Sequence, residues 1–199
     1  DNMSPMGNNG YLVTCPETKE AVLIDTPGDP EKLLGVIGDE KIQAILITHN
    51  HRDHLAGFDE ITGKVNAPVG IAPADAHALP KAPDLDLTDG RIIKFGNQEL
   101  EVLNTPGHTD GASCFRVGKH LFSGDTLFPG GPGKSRSPEA FAQLLNSVST
   151  KLMALSDDTA VYPGHGDDTT IGEARRRYTD FQSRSHPADL CGDVDWLKS

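Results

Sequence analysis

Short apolar runs that end in glycine, proline or a charged residue are the dominant pattern along this chain. Runs of this length, bounded by turn residues, are typical of buried strands. Five of them lie at residues 21–24, 43–47, 100–103, 121–123 and 160–162. Residues 11–15 and 21–25, joined by the polar segment 16–20, predict a hairpin. The pattern therefore predicts sheets built from many short strands.

Other segments carry helix signals between these runs. Asp29 followed by Pro30 predicts a helix that Gly38 closes. Ser137 caps a predicted helix that continues to about residue 155, with its apolar positions on one face. Residues 170–173 form a capping box that begins a last helix, whose three arginines we expect on a solvated face. Strands alternating with helices indicate an α/β fold.

Four residues of metal-binding type, three histidines and one aspartate, lie within residues 49–54, just after the run at residues 43–47. His49 and His51 point the same way if the chain stays extended there, so both can reach one ion. Residues 55–61 have weak helical periodicity, so the chain is expected to turn at Asp53 and His54. That turn would direct the second pair of side chains toward a second position nearby. One short segment can then serve two ions.

Other strand ends carry the same residue types. His108, Asp125 and His165 each follow an apolar run and a glycine turn, and Asp25 follows the run at 21–24. Strand ends meet along one rim of an α/β sheet, so these side chains are expected to converge. Imidazole and carboxylate ligands suit zinc, iron or manganese. The alternative is a set of ordinary polar turns that happen to be rich in histidine.

The ordered histidine and aspartate pattern resembles the metallo-β-lactamase superfamily, from about residue 8 to 177. The resemblance implies a four-layer αβ/βα sandwich of two mixed β-sheets flanked by helices, with the site on one edge between the sheets. It also implies a ligand set for two cations. The first would be held by His49, His51 and His108, the second by Asp53, His54 and His165, and Asp125 would bridge both.

Two adjacent dications can lower the pKa of a shared water and polarise a carbonyl group. The resemblance implies two divalent ions, zinc in the first place, with iron or manganese as alternatives. Asp53 and Asp125 would then be catalytic, Asp53 by orienting the hydroxide and Asp125 as the bridge. Asp25 is better placed as a hydrogen-bond acceptor that fixes a ligand imidazole.

Residues 124–134 resemble the glyoxalase II group, which hydrolyses glutathione thioesters such as S-lactoylglutathione. Lys134 and Arg136 could meet the carboxylates of such a substrate, or they could be incidental surface charges on a tight loop. Residues 178–199 are too few for the C-terminal helical region of full-length members. We therefore expect one domain over residues 1–199, without a separate substrate domain, and another thioester or a small ester is an alternative substrate.

Three other functions are compatible with part of this pattern. A persulfide dioxygenase uses one iron held by two histidines and one aspartate, but its typical Gly-Arg-Thr-Asp segment is replaced here by residues 133–136. A lactonase is a second alternative. The third is a metal-stabilised scaffold, although structural zinc sites tend to be closed and rich in cysteine.

Composition limits the partners. The net charge is −11, which disfavours nucleic acid because phosphates would be repelled, so we expect a small-molecule substrate. No apolar run is long enough to cross a bilayer, and no membrane partner is expected. Cys15, Cys114 and Cys191 form no close-spaced pair, which favours a cytoplasmic location. The sequence leaves the oligomeric state undetermined.

Overall fold

Two mixed β-sheets form the centre of the computed structural model, which describes residues 7–199. The first sheet has five strands in chain order: β1 (Tyr11–Thr14), β2 (Glu20–Ile24), β3 (Lys41–Leu46), β4 (Val69–Ile71) and β5 (Leu85–Asp86). β1 and β2 are antiparallel, which confirms the predicted hairpin, and β2 to β5 are parallel to one another.

The second sheet has six strands in the order β13-β12-β9-β8-β7-β6. Their bounds are β6 (Ile92–Phe95), β7 (Gln98–Asn104), β8 (Ser113–Val117), β9 (His120–Gly124), β12 (Ala160–Pro163) and β13 (Thr169–Thr170). Only β9 and β12 pair in parallel within this sheet. A separate two-stranded ribbon consists of β10 (Leu127–Phe128) and β11 (Gly131–Pro132).

Four α-helices accompany the sheets: α1 (Pro30–Gly35), α2 (Phe58–Lys64), α3 (Pro138–Ser147) and α4 (Ile171–Gln182). Ser137 and Thr170 cap α3 and α4 as predicted, since each side chain accepts a backbone N–H three residues later. Beyond α3 the chain widens into a π-helical turn at Val148–Leu152, so the helix expected to reach residue 155 ends earlier. Short 3₁₀ turns lie at Arg52–His54 and Pro73–Ala78.

Buried side chains fall into three apolar clusters, and these clusters define the layers. One lies between the first sheet and α1 and α2, one between the two sheets, and one between the second sheet and α3 and α4. Successive residues of β2 show the division, because Leu23 belongs to the helix-side cluster whereas Val22 and Ile24 belong to the inter-sheet cluster. The predicted four-layer sandwich is confirmed.

The parallel strands set the position of the site. β2 and β3 end at one edge of the first sheet, and β9 and β12 end at one edge of the second. A hydrogen bond of 2.9 Å from Ser113 N to the carbonyl of Thr48 joins these two edges. Among residues 7–199 there is no helix with the length and apolar character needed to span a bilayer.

Candidate metal centre

The loop after β3 positions four of the seven candidate ligands. His49 and His51 follow the strand, and the backbone at His51 is extended, with φ −72° and ψ 143°. The 3₁₀ turn at Arg52–His54 begins with the next residue and carries Asp53 and His54 to a different position. This local geometry agrees with the turn expected from the sequence.

Three imidazoles and one carboxylate form the first group. His51 Nδ1 lies 3.1 Å from His49 Nε2 and 3.0 Å from His108 Nε2. Asp125 completes the group, and one ligand atom from each of the four residues lies within 4.8 Å of the others. Four donor atoms at this spacing surround a single point where one ion could be held.

A second group lies beside the first. His165 Nε2 is 3.3 Å from His54 Nε2 and 3.1 Å from Asp53 Oδ2. The ligand atoms of these three residues also lie within 4.8 Å of one another. The side chain of Asn8 donates to Asp53 Oδ2 at 2.9 Å, which orients that carboxylate.

Asp125 contacts both groups. Its Oδ1 lies 3.3 Å from His54 Nε2, and its Oδ2 lies 3.6 Å from both His108 Nε2 and His165 Nε2. All seven residues singled out in the sequence are therefore brought together at one edge of the sandwich.

Hydrogen bonds behind the imidazoles set which ring nitrogen faces the centre. His54 Nδ1 donates to Asp25 Oδ2 at 2.8 Å, and His108 Nδ1 donates to the Lys134 carbonyl at 2.7 Å. Thr48 Oγ1 donates to Asp25 at 2.8 Å, so it can accept from His49 Nδ1 at 3.0 Å. The Nε2 atoms of these three rings are left to face the centre. Asp25 thus accepts a hydrogen bond from an imidazole of the site, the contact that the sequence leads us to expect, and the role of that imidazole as a metal ligand stays a prediction.

The charges of the site are coupled. Burial and the surrounding histidines hold the pKa of His49 well below its usual range. Burial also opposes the charged form of His54, but Asp25 and Asp125 outweigh it and raise the pKa of His54 to about 10. Burial raises the pKa of Asp125, yet the nearby imidazole of His54 outweighs it, and the net shift is downward. The carboxylate is therefore available in its anionic form.

Two observations indicate that the nitrogen and oxygen donors of the site fit divalent cations. Asp125 Oδ1 is buried and makes no hydrogen bond, a costly condition for a carboxylate oxygen. The Nε2 atoms of His49 and His108 also both lie within 3.1 Å of His51 Nδ1, which can donate to only one of them, so one of these contacts is unfavourable unless a cation lies between the rings. Imidazole and carboxylate without sulfur suit zinc, iron and manganese alike.

Gly164 permits this close packing. A Cβ at this position would come within 2.3 Å of Asp125 Oδ1 and 2.5 Å of His54 Cε1. Any side chain would therefore displace one ligand from each group. Glycine lets the loop that carries His165 approach the centre of the site.

A cavity of about 370 Å³ opens beside His51 and His108. Lys134 and Arg136 both line it, as their proposed substrate contacts require. Their side chains are exposed, but the Arg136 guanidinium is paired with Asp110 at 2.5 Å. A larger groove of about 890 Å³ follows β1 and includes none of the seven residues, so the smaller cavity is the candidate substrate site.

Sequence reasoning missed three residues that support the site, namely Asn8, Thr48 and Asp75. Thr48 stands directly before His49 at a strand end, and this position was a usable signal. Asn8 precedes every predicted strand, and Asp75 lies in a turn without a neighbouring ligand. Nothing in the sequence distinguishes these two from ordinary polar surface residues.

Comparison with known proteins identifies the family. A family model described as the metallo-beta-lactamase superfamily matches residues 3–165. The chain is 35% identical to a probable hydroxyacylglutathione hydrolase of Schizosaccharomyces pombe, over 97% of this chain and 75% of that protein. It is 40% identical to a hydroxyacylglutathione hydrolase of Polaromonas sp., over 79% of this chain but only 62% of the relative's length.

Solved structures agree with this result. TTHA1623 in a di-iron-bound form matches with a TM-score of 0.74 and 35% identity, over 88% of this chain and 96% of that one. ETHE1 from Myxococcus xanthus matches with a TM-score of 0.80 and 27% identity, over 90% and 82% of the two chains. The chain belongs to the metallo-β-lactamase superfamily. Within it, the chain is a hydrolase of the glyoxalase II-like type, as the sequence pattern predicts.

Proposed function

We propose that this protein is a dinuclear metal-dependent thioesterase, and that S-lactoylglutathione or a similar thioester is its substrate. The convergence of seven histidine and aspartate side chains into two adjacent groups is the observation that carries this proposal. His49, His51 and His108 would hold the first ion, and Asp53, His54 and His165 the second. Asp125 contacts both groups and would bridge the two ions.

The proposed mechanism uses the carboxylates for orientation. When bound, two divalent cations supply a hydroxide at neutral pH and polarise the substrate carbonyl. Asp53 would accept a hydrogen bond from the attacking hydroxide and aim it at the carbonyl carbon. Asn8 donates to Asp53 Oδ2, which restricts how that carboxylate can rotate. His49 and His108 keep their Nε2 atoms inward because their Nδ1 atoms are already engaged with Thr48 and with the Lys134 carbonyl.

Two observations support a thioester with an anionic leaving group. The named relatives are hydroxyacylglutathione hydrolases. The cavity at the first group carries Lys134, whose ammonium could pair with a substrate carboxylate. Arg136 lies on the same cavity but is already neutralised by Asp110, so Lys134 is the stronger candidate of the two.

A thioester hydrolysis screen on the metal-loaded protein tests the proposal. The panel should contain S-lactoylglutathione, a thioester without the glutathione carboxylates, and an acyl homoserine lactone. We expect hydrolysis of the first, slower hydrolysis of the second, and no turnover by the matched His51→Ala variant. Equal rates for wild type and His51→Ala, or turnover of the lactone alone, would contradict the proposal.

A persulfide dioxygenase-like activity is the second candidate. The first group contains imidazoles and a carboxylate on its own, so it could hold a single iron with open positions. Oxygen uptake on glutathione persulfide by an iron-loaded protein with one metal per chain would favour this reaction. Hydrolysis with two metals per chain would favour the thioesterase.

Zinc is the metal we propose, since it suits hydrolysis without redox chemistry. The similar protein TTHA1623 was solved in a di-iron-bound form, which supports iron as an alternative to zinc, and manganese is the other alternative. We also propose a cytoplasmic location and a small-molecule substrate, with neither nucleic acid nor a membrane as a partner. The three cysteines, all within the described residues, form no disulfide, and this state is the usual one in a reducing compartment.

A further inference from the structure

Asp75 is a completely buried carboxylate next to the site that the mechanism does not use. It lies in the 3₁₀ turn Pro73–Ala78, which follows β4 of the first sheet, and its exposure is 0%. Its two oxygens accept four hydrogen bonds. Burying a carboxylate is costly unless its oxygens are well satisfied, and here four neutral donors satisfy it.

Those four donors come from two loops, and both loops carry histidines of the first group. Asn50 donates to Oδ2 through its backbone N–H at 3.1 Å and to Oδ1 through its side chain at 3.0 Å. Thr109 Oγ1 donates to Oδ2 at 2.6 Å, and Gly111 N donates to Oδ1 at 3.0 Å. Each oxygen therefore takes one bond from each loop.

The position of these donors in the chain links Asp75 to the ligands. Asn50 stands between His49 and His51, in the loop that leaves the first sheet. Thr109 directly follows His108, in the loop that leaves β7 of the second sheet. Asp75 thus joins the two chain segments whose imidazoles must meet at one ion.

Only a carboxylate satisfies all four donors. An asparagine at this position would turn its amide N–H₂ toward one of the two pairs of donors. An N–H₂ group in place of Oδ1 could be accepted by a flipped Asn50 side chain, but it would face the backbone N–H of Gly111. An N–H₂ group in place of Oδ2 could be accepted by a rotated Thr109 hydroxyl, but it would face the backbone N–H of Asn50. A buried unsatisfied donor of this kind is unfavourable, so the two loops would move apart.

The loop from β7 is also shaped for this contact. A Cβ at residue 111 would lie 2.6 Å from Asp75 Cγ, so glycine is needed for the backbone to come this close. A close approach that excludes any side chain indicates that the contact fixes the loop.

We propose that Asp75 is the positioning residue of the first metal group, holding His49 and His51 at the distance from His108 that one cation requires. This inference rests on the proposed function, because it assumes that the group binds metal. Asp25 has the corresponding role for His54 of the second group. Each group then depends on its own buried carboxylate.

Zinc affinity in two single-site backgrounds tests the inference. His165→Ala leaves the first group complete, and His51→Ala leaves the second group complete. Competition with a chromophoric chelator gives the zinc Kd of each background with and without Asp75→Asn. We expect Asp75→Asn to raise the Kd at least about tenfold in the His165→Ala background and to leave it unchanged in the His51→Ala background.

Thr109 provides a milder pair of variants if Asp75→Asn does not fold. Thr109→Val removes one donor at nearly constant shape and should weaken the first group alone, whereas Thr109→Ser keeps the hydroxyl and should match its parent. Equal weakening in both backgrounds, or no change in either, overturns the role of Asp75. If the wild-type protein binds no zinc, both this inference and the proposed function are overturned. If the wild-type protein binds zinc normally and these variants have no effect, only this inference is overturned.

Discussion

Asp25 and His54 are 29 residues apart in the chain, and their side chains meet at 2.8 Å with both residues buried. Asp25 also accepts from the backbone and hydroxyl of Thr48, and that hydroxyl contacts His49. Asp25 adopts a left-handed backbone conformation, with φ 59°, which is unfavourable for most side chains. Strain of this kind at the end of β2 places the carboxylate directly against the imidazole of His54 and connects it to His49 only through Thr48.

Replacing Asp25 by asparagine should therefore weaken metal binding. The amide lacks the charge that favours the Nδ1–H form of His54, so we expect the zinc affinity of the second group to fall about 10- to 100-fold. Chelator competition on the purified variant measures this loss. Asp59→Asn, at an exposed position of α2, is the matched control and should bind zinc like the wild type. An unchanged affinity for Asp25→Asn would contradict the role assigned to Asp25.

Removing a proposed ligand should abolish turnover without unfolding the protein. His51 is exposed at the cavity, and Asp125 carries a buried oxygen without a hydrogen bond, so neither side chain stabilises the core. We expect His51→Ala and Asp125→Ala each to lower kcat at least about 100-fold, with the far-ultraviolet circular dichroism spectrum preserved. Near-normal rates in variants whose metal content has been verified would contradict the mechanism.

Lys134 and Arg136 should differ in their effect on substrate binding. The Arg136 guanidinium already pairs with Asp110, whereas Lys134 presents its charge to the cavity. Lys134→Ala should raise the KM for an anionic thioester several-fold at nearly constant kcat, and Arg136→Ala should change it less. Steady-state kinetics with S-lactoylglutathione and with an uncharged thioester checks this, because the uncharged substrate should not respond. An equal response of both substrates would argue against charge recognition by Lys134.

Cys114 should resist alkylation in the folded protein. Burial raises the pKa of this thiol to about 11, so about one molecule in a thousand carries the thiolate at pH 8. Cys191 is partly exposed and serves as the internal comparison. Mass spectrometry after brief treatment with iodoacetamide should find Cys191 modified and Cys114 intact, and both modified after denaturation. Rapid labelling of Cys114 in the native state would contradict its buried environment.

Much of the fold was predictable because its signals are local. The apolar runs that became β2, β3, β7, β9 and β12 are continuous in the sequence, and both helix caps are set by residues three positions apart. The ligand pattern was also readable, since four of the seven residues follow β3 directly and the other three each follow a further strand. The single-domain organisation stays a prediction.

Contacts between distant segments were not predictable. Asp75 interacts with residues 25 to 36 positions away, and only the packing of the two sheets brings them together. Trp196 is fully buried and lies against Gly131 of β11, a contact between segments 65 residues apart in the chain. Of the three arginines expected on a solvated face, Arg176 is exposed, but the other two are engaged with backbone carbonyls. Arg175 donates to the carbonyls of Met153 and Leu155, and Arg177 donates to that of Pro129.

Anomalous X-ray diffraction from zinc-loaded crystals, recorded on both sides of the zinc absorption edge, shows directly whether the seven residues hold two ions. We expect two anomalous peaks a few ångströms apart, one among His49, His51 and His108, the other among Asp53, His54 and His165, with Asp125 in contact with both. A single peak at the first group, or zinc bound elsewhere on the surface, would contradict the two-metal site.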